Sequence, residues 1–243
     1  MKFSPTNFIK YWFHKAGSAY VNVVCRREFD SQIFHGINER PVEYRFVFEQ
    51  VTRYCPSNVL DVGTGKSALP QLVRNCGPLV TAIDNVDDYW TKGMSNRHYN
   101  VIQDNILATM LPHAAFDMVT CVSVLEHIPD HNRAIRSMVD LLQPGGNLVL
   151  TFPFNERSYV ENVYALPGSI GAGVYSFTTQ VFSREEVVRW CQENRLTLIR
   201  QEWWRFYDGE FWTQGRPVCP PEHTGPDLPH HIACIVLQKG HSK

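Results

Sequence analysis

The sequence predicts an α/β fold, a doubly wound and mostly parallel sheet with helices on both faces. Three observations predict it. The run Ser57-Asn58-Val59-Leu60-Asp61-Val62-Gly63-Thr64-Gly65 takes an apolar strand through an acidic residue into a glycine turn and then toward a helix. The next strand, Leu79-Val80-Thr81-Ala82-Ile83-Asp84, ends in a second carboxylate, 23 residues after Asp61. That spacing suits a βαβ unit whose second strand delivers an acid to the ribose of a nucleotide-like ligand. Strand-like and helix-like segments then alternate as far as Phe152, and 243 residues are enough for one large α/β domain with a full core.

The elements follow in order. Residues 1–37 are aromatic-rich and weakly periodic, and Phe3, Phe8, Tyr11, Trp12, Phe13 and Tyr20 are expected to pack as a cap over the ligand crevice. Residues 39–54 read as a helix: Asn38 can cap it, Pro41 is tolerated in its first turn, and Val42, Phe46, Val51 and Tyr54 form a stripe. The chain is therefore divided into a helical cap over 1–56 and a main domain over 57–243. Residues 66–76 form the first crossover helix, and 131–142 another that stops at Pro144-Gly145-Gly146. Asn147–Phe152 is a central strand. After Pro153 the alternation fails. Residues 154–180 hold Tyr159, Tyr164, Tyr175 and Phe177, and a loop this long is expected to act as a lid or substrate loop. Ser183-Arg184-Glu185-Glu186 is a capping box opening a helix to Asn194, and 196–203 and 232–237 read as the last strands. The insert 204–231 between them is rich in proline and aromatics. It suits a substrate wall stacking on a ring such as a sugar, a homodimer contact, or plain packing.

Composition and spacing exclude several classes. Lys66-Ser67 does not make a phosphate loop, because the G-x-x-x-x-G-K-[S/T] order is missing. A dinucleotide turn needs a third glycine where Ala68 stands. The 23 Lys and Arg against 24 Asp and Glu leave no basic surplus for a general nucleic-acid binder. No apolar run reaches membrane-spanning length, and no secretory pattern opens the chain. The seven cysteines lack Cys-x-x-Cys spacing and read as reduced, mostly packed thiols of a cytoplasmic protein.

A third segment narrows the reading. Val101-Ile102-Gln103-Asp104-Asn105 is followed by Phe116-Asp117-Met118-Val119-Thr120-Cys121-Val122-Ser123-Val124-Leu125-Glu126-His127. With the strand and turn at 59–65, this resembles the class I S-adenosylmethionine-dependent methyltransferases, in particular the small-molecule group with an LEH segment, over roughly residues 57–152. The resemblance implies a Rossmann-like sheet of seven strands with an antiparallel last strand. It implies S-adenosyl-L-methionine as cofactor. Asp61 would order the methionine end, Gly63 and Gly65 would make room for the methionine and ribose, and Asp84 would accept the ribose diol with Asn85 beside it. Asp104 would meet the adenine amine, with Asn105 supplying a backbone N–H. The chain departs from the family at Ser67 and Gln103, where glycines are usual.

His127 is the candidate base, since a neutral imidazole after the fourth strand can take a proton near neutral pH. Glu126 could orient it or meet the cofactor. His127, Asp130 and His131 do not make a His-Glu-x-x-His motif, and no metal site is assigned, either there or at Cys219, His223, His230 and His231. Glu156, Arg157 and Tyr159 follow the fifth strand and could meet a polar acceptor. The expected activity is O-methylation of a small polar or saccharide-like acceptor, such as a glycan precursor, by in-line displacement. The alternatives are N- or C-methylation on the same fold, an NAD-dependent oxidoreductase, and a non-catalytic relative acting as a partner protein.

Overall fold

The computed structural model describes residues 5–34, 36, 38–86, 93–175 and 177–241. The chain divides into two units, Met1–Asn38 and Glu39–Lys243. The first is built on one helix, α1 (Pro5–Asp30). Phe3, one of the expected cap aromatics, lies outside the described residues.

The second unit opens with α2 (Arg40–Tyr54), β1 (Asn58–Val62), α3 (Leu69–Asn75), β2 (Leu79–Asp84) and the short β3 (Ile102–Gln103). It continues through β4 (Phe116–Val122), α4 (His131–Leu141), β5 (Leu142–Pro153) and α5 (Arg184–Asn194). Strands β6 (Leu196–Tyr207), β7 (Pro217–Thr224) and β8 (Ile232–Lys239) complete one sheet in the order β3-β2-β1-β4-β5-β8-β6-β7. Strands β1 to β5 pair in parallel, and β8 runs antiparallel between β5 and β6. The mixed sheet matches the expected class, with one strand more than seven. The extra strand, β7, lies in the insert read as a loop and pairs antiparallel with the end of β6. The last strand in sequence is thus interior, and β7 takes the edge. Its Pro217, Pro220 and Pro221 cannot donate to a ladder, which suits an edge strand and blunts it against further pairing.

Alternation along the strands builds two cores. On β8, Ala233, Ile235 and Leu237 join the cluster under α4 and α5, while Ile232, Cys234 and Val236 join the cluster under α2 and α3. Successive side chains on a strand point to opposite faces, so one apolar strand feeds both layers. Trp190 of α5, fully buried, meets Phe152 and Phe182 edge-on at centroid distances of 5.6 and 5.1 Å. The capping box at the start of α5 forms as expected, with Ser183 and Glu186 bonding reciprocally. Cys121 and Cys234 are buried, but Cys25, Cys55, Cys76 and Cys219 are exposed thiols, so packing accounts for a minority of the cysteines. No helix among the described residues is long and apolar enough to cross a membrane.

Candidate active site

Parallel strands β1 to β5 all end along one edge, and strand order reverses between β1 and β4. In an open α/β sheet the crevice outside that reversal is where ligands bind, because the flanking loops diverge to opposite faces. Five segments meet this edge: Asp61 near the end of β1, Asp84 at the end of β2, Asp104 just after β3, the 3-10 turn Leu125–His127 after β4, and residues 154–159 after β5.

The glycine turn is pressed against the β4 side of the crevice. Gly63 has φ +74° and Gly65 φ +55°, in the left-handed region. A Cβ on Gly63 would stand 2.3 Å from Cγ1 of Val124, so glycine is required twice over, by conformation and by space. Asp61 is buried, and its two oxygens accept from Thr64 Oγ1 at 2.6 Å and Thr120 Oγ1 at 2.7 Å. Burial nevertheless pushes its carboxyl up to about 6, against the pull of those hydroxyls. Asp84 is also buried and accepts the Gly65 N–H at 2.7 Å, which ties the turn to the end of β2. Asn85 follows it, half-buried. The Asp104 N–H bonds to the Asp84 carbonyl at 3.1 Å, and its carboxylate accepts from Thr109 Oγ1 at 2.5 Å. Asn105 spends its side-chain oxygen on capping the next 3-10 turn through Leu107 N–H. The three acids expected from the sequence therefore lie at successive strand ends on one edge.

Across the reversal, His127 is half-buried, with Nδ1 2.9 Å from the Thr178 carbonyl. A carbonyl only accepts, so Nδ1 carries the proton and Nε2 is the acceptor of the neutral ring. Burial moves the ring below the usual histidine value, and the Thr178 bond opposes that shift. The adjoining Glu126 is buried, and its Oε2 has no hydrogen-bond partner among the described residues. Burial, with the nearby Glu43 adding to it, holds this carboxyl well above the usual range. Gln180 fastens the turn to the 154–182 segment: its backbone N–H and side-chain amide both reach the Glu126 carbonyl, and the amide also reaches Ile128 O at 2.9 Å.

The two long inserts are joined to each other. Ile170 N–H donates to Thr213 O at 2.7 Å, and Gln214 Nε2 to Pro167 O at 3.0 Å. Phe177 stands edge-on to the His127 ring at 5.2 Å and continues into Tyr175 and Tyr164. Tyr207 and Trp212 of the second insert pack edge-on at 5.2 Å. His231 is fully buried, donating to Gly209 O and accepting from Phe206 N–H, so it is a neutral brace for the β6–β7 connection. Burial pushes it down to about 4. His131 packs against Phe182 and Trp190, and Asp130 caps α4 through Arg133 N–H. Glu156 is taken by Arg184 at 2.7 Å, while Arg157 is exposed.

Sequence reasoning missed the contribution of α2. Glu43, with no exposure, accepts from Arg40 at 2.8 Å and from the hydroxyls of Thr151 and Ser123. A buried carboxylate with several partners is tolerable, whereas one stripped of its cation costs several kcal/mol, roughly 3–5. Tyr44 OH reaches Ser67 Oγ at 3.2 Å. The signal was present in the helix pattern, because Glu43 and Gln50 occupy core-facing positions beside Val42, Phe46, Val47 and Val51.

A family model described as a methyltransferase domain matches residues 39–214. A ubiquinone biosynthesis O-methyltransferase of Coxiella burnetii is 28% identical over 177 residues, which cover 68% of this chain and 73% of the relative. Among solved structures, a 1,6-didemethyltoxoflavin-N1-methyltransferase from Burkholderia thailandensis, bound to 1,6-didemethyltoxoflavin and S-adenosylhomocysteine, superposes with a TM-score of 0.55. It is 15% identical and covers 99% of this chain and 92% of its own. The [4+2]-cyclase SpnF superposes with a TM-score of 0.54 at 14% identity, covering 82% of this chain and 81% of its own. These two likenesses speak to fold alone, and the cyclase illustrates that one fold hosts different chemistries.

Proposed function

Because the chain belongs to the class I S-adenosylmethionine-dependent methyltransferases, we propose that it methylates an oxygen of a small acceptor with a flat or apolar ring face, a saccharide-like molecule being the first choice. Bound S-adenosylmethionine supplies an electrophilic methyl group on a sulfonium. The residues present fit that cofactor. Three acids at successive strand ends call for donors, and an ammonium, a ribose diol and an adenine amine supply them. In this reading Asp61 holds the amino group, Asp84 and Asn85 take the ribose, and Asp104 with the Asn105 N–H takes the adenine. Gly63 and Gly65 let the backbone approach closely.

The observation that carries the oxygen acceptor is the His127 ring, neutral and held by Thr178 O with Nε2 as its acceptor atom. A hydroxyl must lose a proton as it attacks, and a positioned neutral imidazole takes it. The aromatic wall of Phe177, Tyr175 and Tyr164 continues from that ring and offers faces to a ring-shaped acceptor. The test is incubation with methyl-labelled cofactor and a panel of sugars, nucleotide sugars and phenols. The expected product is a methyl ether. A methyl group found on nitrogen or carbon, or no product from any panel member, would remove the oxygen reading.

Asp61 sets a pH dependence for cofactor binding. Its carboxyl in the free protein sits at about 6, above the ordinary 3.8. An ammonium beside it favours the ionised form and lowers that value in the complex. Binding below about pH 6 therefore releases a proton. The affinity for S-adenosylhomocysteine should fall by roughly tenfold per pH unit there, and be flat above. Calorimetry in buffers of different ionisation enthalpy reads the proton directly.

A further inference from the structure

Strand β4 leaves the sheet through a residue in an unfavourable conformation. Ser123, the first residue after β4, has φ +49°, inside the left-handed region. That region is costly for an L side chain, persists only where the surroundings enforce it, and is found most at functional sites. Cys55 and Arg195 are also left-handed, but both close helices, where such a residue is ordinary. Ser123 closes a strand. What enforces it is a ring of hydrogen bonds. The Ser123 N–H donates to Thr151 Oγ1 at 3.1 Å, beside its bond to the Thr151 carbonyl at 3.0 Å. Thr151 Oγ1 donates to Glu43 Oε1 at 2.7 Å, and Ser123 Oγ donates to the same oxygen. Glu43 Oε2 accepts from Arg40 at 2.8 Å. Glu43 and Thr151 have no exposure, so water does not compete for these bonds. Main chain and side chain of Ser123 are thus both held, and its φ with them.

The next four residues carry the consequence. Val124 fills the space that a Cβ on Gly63 would need, and its carbonyl accepts the His127 N–H at 2.9 Å. The far end of the turn is tied down by Gln180 and by the Thr178 carbonyl on His127 Nδ1. Its near end depends on Ser123. We propose that Glu43 is a positioning residue: through Ser123 it fixes where the chain leaves β4, and so aims the Leu125–His127 turn and seats the His127 ring on Thr178. A buried carboxylate with a cation and two hydroxyls could serve stability alone. The strained residue at the end of its bonds is what points to positioning. The consequence for turnover rests on the reading of His127 as the base, whereas the seating of the ring does not.

The test is nitrogen NMR of the full chain labelled at histidine, with His127→Ala assigning the ring, alongside turnover and thermal unfolding. Wild type should show His127 protonated at Nδ1, the tautomer that the Thr178 bond selects. Ser123→Ala keeps the Cβ and loses the hydroxyl, so it should release the ring to a mixture of tautomers and lower turnover by roughly tenfold or more. Glu43→Ala should do the same to the ring, and Glu43→Gln, whose amide still links the two hydroxyls to Arg40, should restore the wild-type signal. Glycine takes a positive φ without strain, so Ser123→Gly should keep the Nδ1 tautomer and stay within about threefold of wild-type turnover. A wild-type ring signal in both Ser123→Ala and Glu43→Ala would overturn the proposal, even with a lowered unfolding temperature, because Glu43 would then be a structural ion pair only. So would a glycine variant that loses as much as the alanine one, since the conformation of Ser123 would not be what Glu43 holds. If His127→Ala kept full turnover while the ring signals moved as expected, the base reading would fall and the positioning would stand.

Discussion

Asp84→Ala is expected to weaken S-adenosylhomocysteine binding by at least about tenfold, roughly 1.4 kcal/mol, measured by calorimetric titration. In the proposed pose the carboxylate is the acceptor for the ribose diol, and a buried charged acceptor facing two hydroxyls has no replacement in alanine. The side chain also takes the Gly65 N–H at 2.7 Å, so its loss loosens the turn that approaches the cofactor. The two effects separate in Asp84→Asn. The amide oxygen can still receive the Gly65 N–H, which keeps the turn and the unfolding temperature. The charge-assisted part of the diol contact is lost. Asparagine should therefore bind more weakly than wild type while unfolding with it. Wild-type affinity in Asp84→Ala would end the ribose assignment.

His127→Ala should lower turnover by roughly 10²- to 10⁴-fold while leaving S-adenosylhomocysteine affinity within a factor of about two, the range for removing a general base. The pH profile gives a second readout. Burial disfavours the imidazolium, so the ring's midpoint lies below the usual histidine value of 6.5. The active form is the neutral one. For wild type, kcat/KM should climb with pH through that lowered midpoint and then stay level, and the variant should lose the climb. A variant with full turnover, or a wild type whose rate falls as pH rises through that range, would remove the base. Glu126 beside it gives a control: burial raises its carboxyl above the usual carboxylate range, so Glu126→Gln is made alongside and is expected to keep the acidic limb assigned to His127.

Much of this was legible in the chain because it is local. The strand-acid-glycine run at 59–65, the second acid at 84 and the capping box at Ser183 each depend on residues within a turn or two of one another, and all three elements form as read. The helix expected over 39–54 is α2, Arg40–Tyr54. Strand β7 was not legible, because Pro217, Pro220 and Pro221 argue for a loop everywhere except on an edge, and edge status depends on distant partners. Arg40 and Glu43 were missed for the same reason. Their importance lies in Ser123 and Thr151, which are 80 and 108 residues from Glu43.

By itself the sequence determined the family, the cofactor and the acids at the strand ends, since those follow from short-range order along the chain and from which residue types can grip a nucleoside. Only the folded structure decided how the region proposed to receive the acceptor is built. It orients His127 through a main-chain carbonyl 51 residues away, buries Glu126 with one oxygen lacking a hydrogen-bond partner among the described residues, and joins two inserts through backbone and side-chain bonds. Those features arise from backbone hydrogen bonds between distant segments and from exclusion of water, and neither leaves a mark on side-chain pattern.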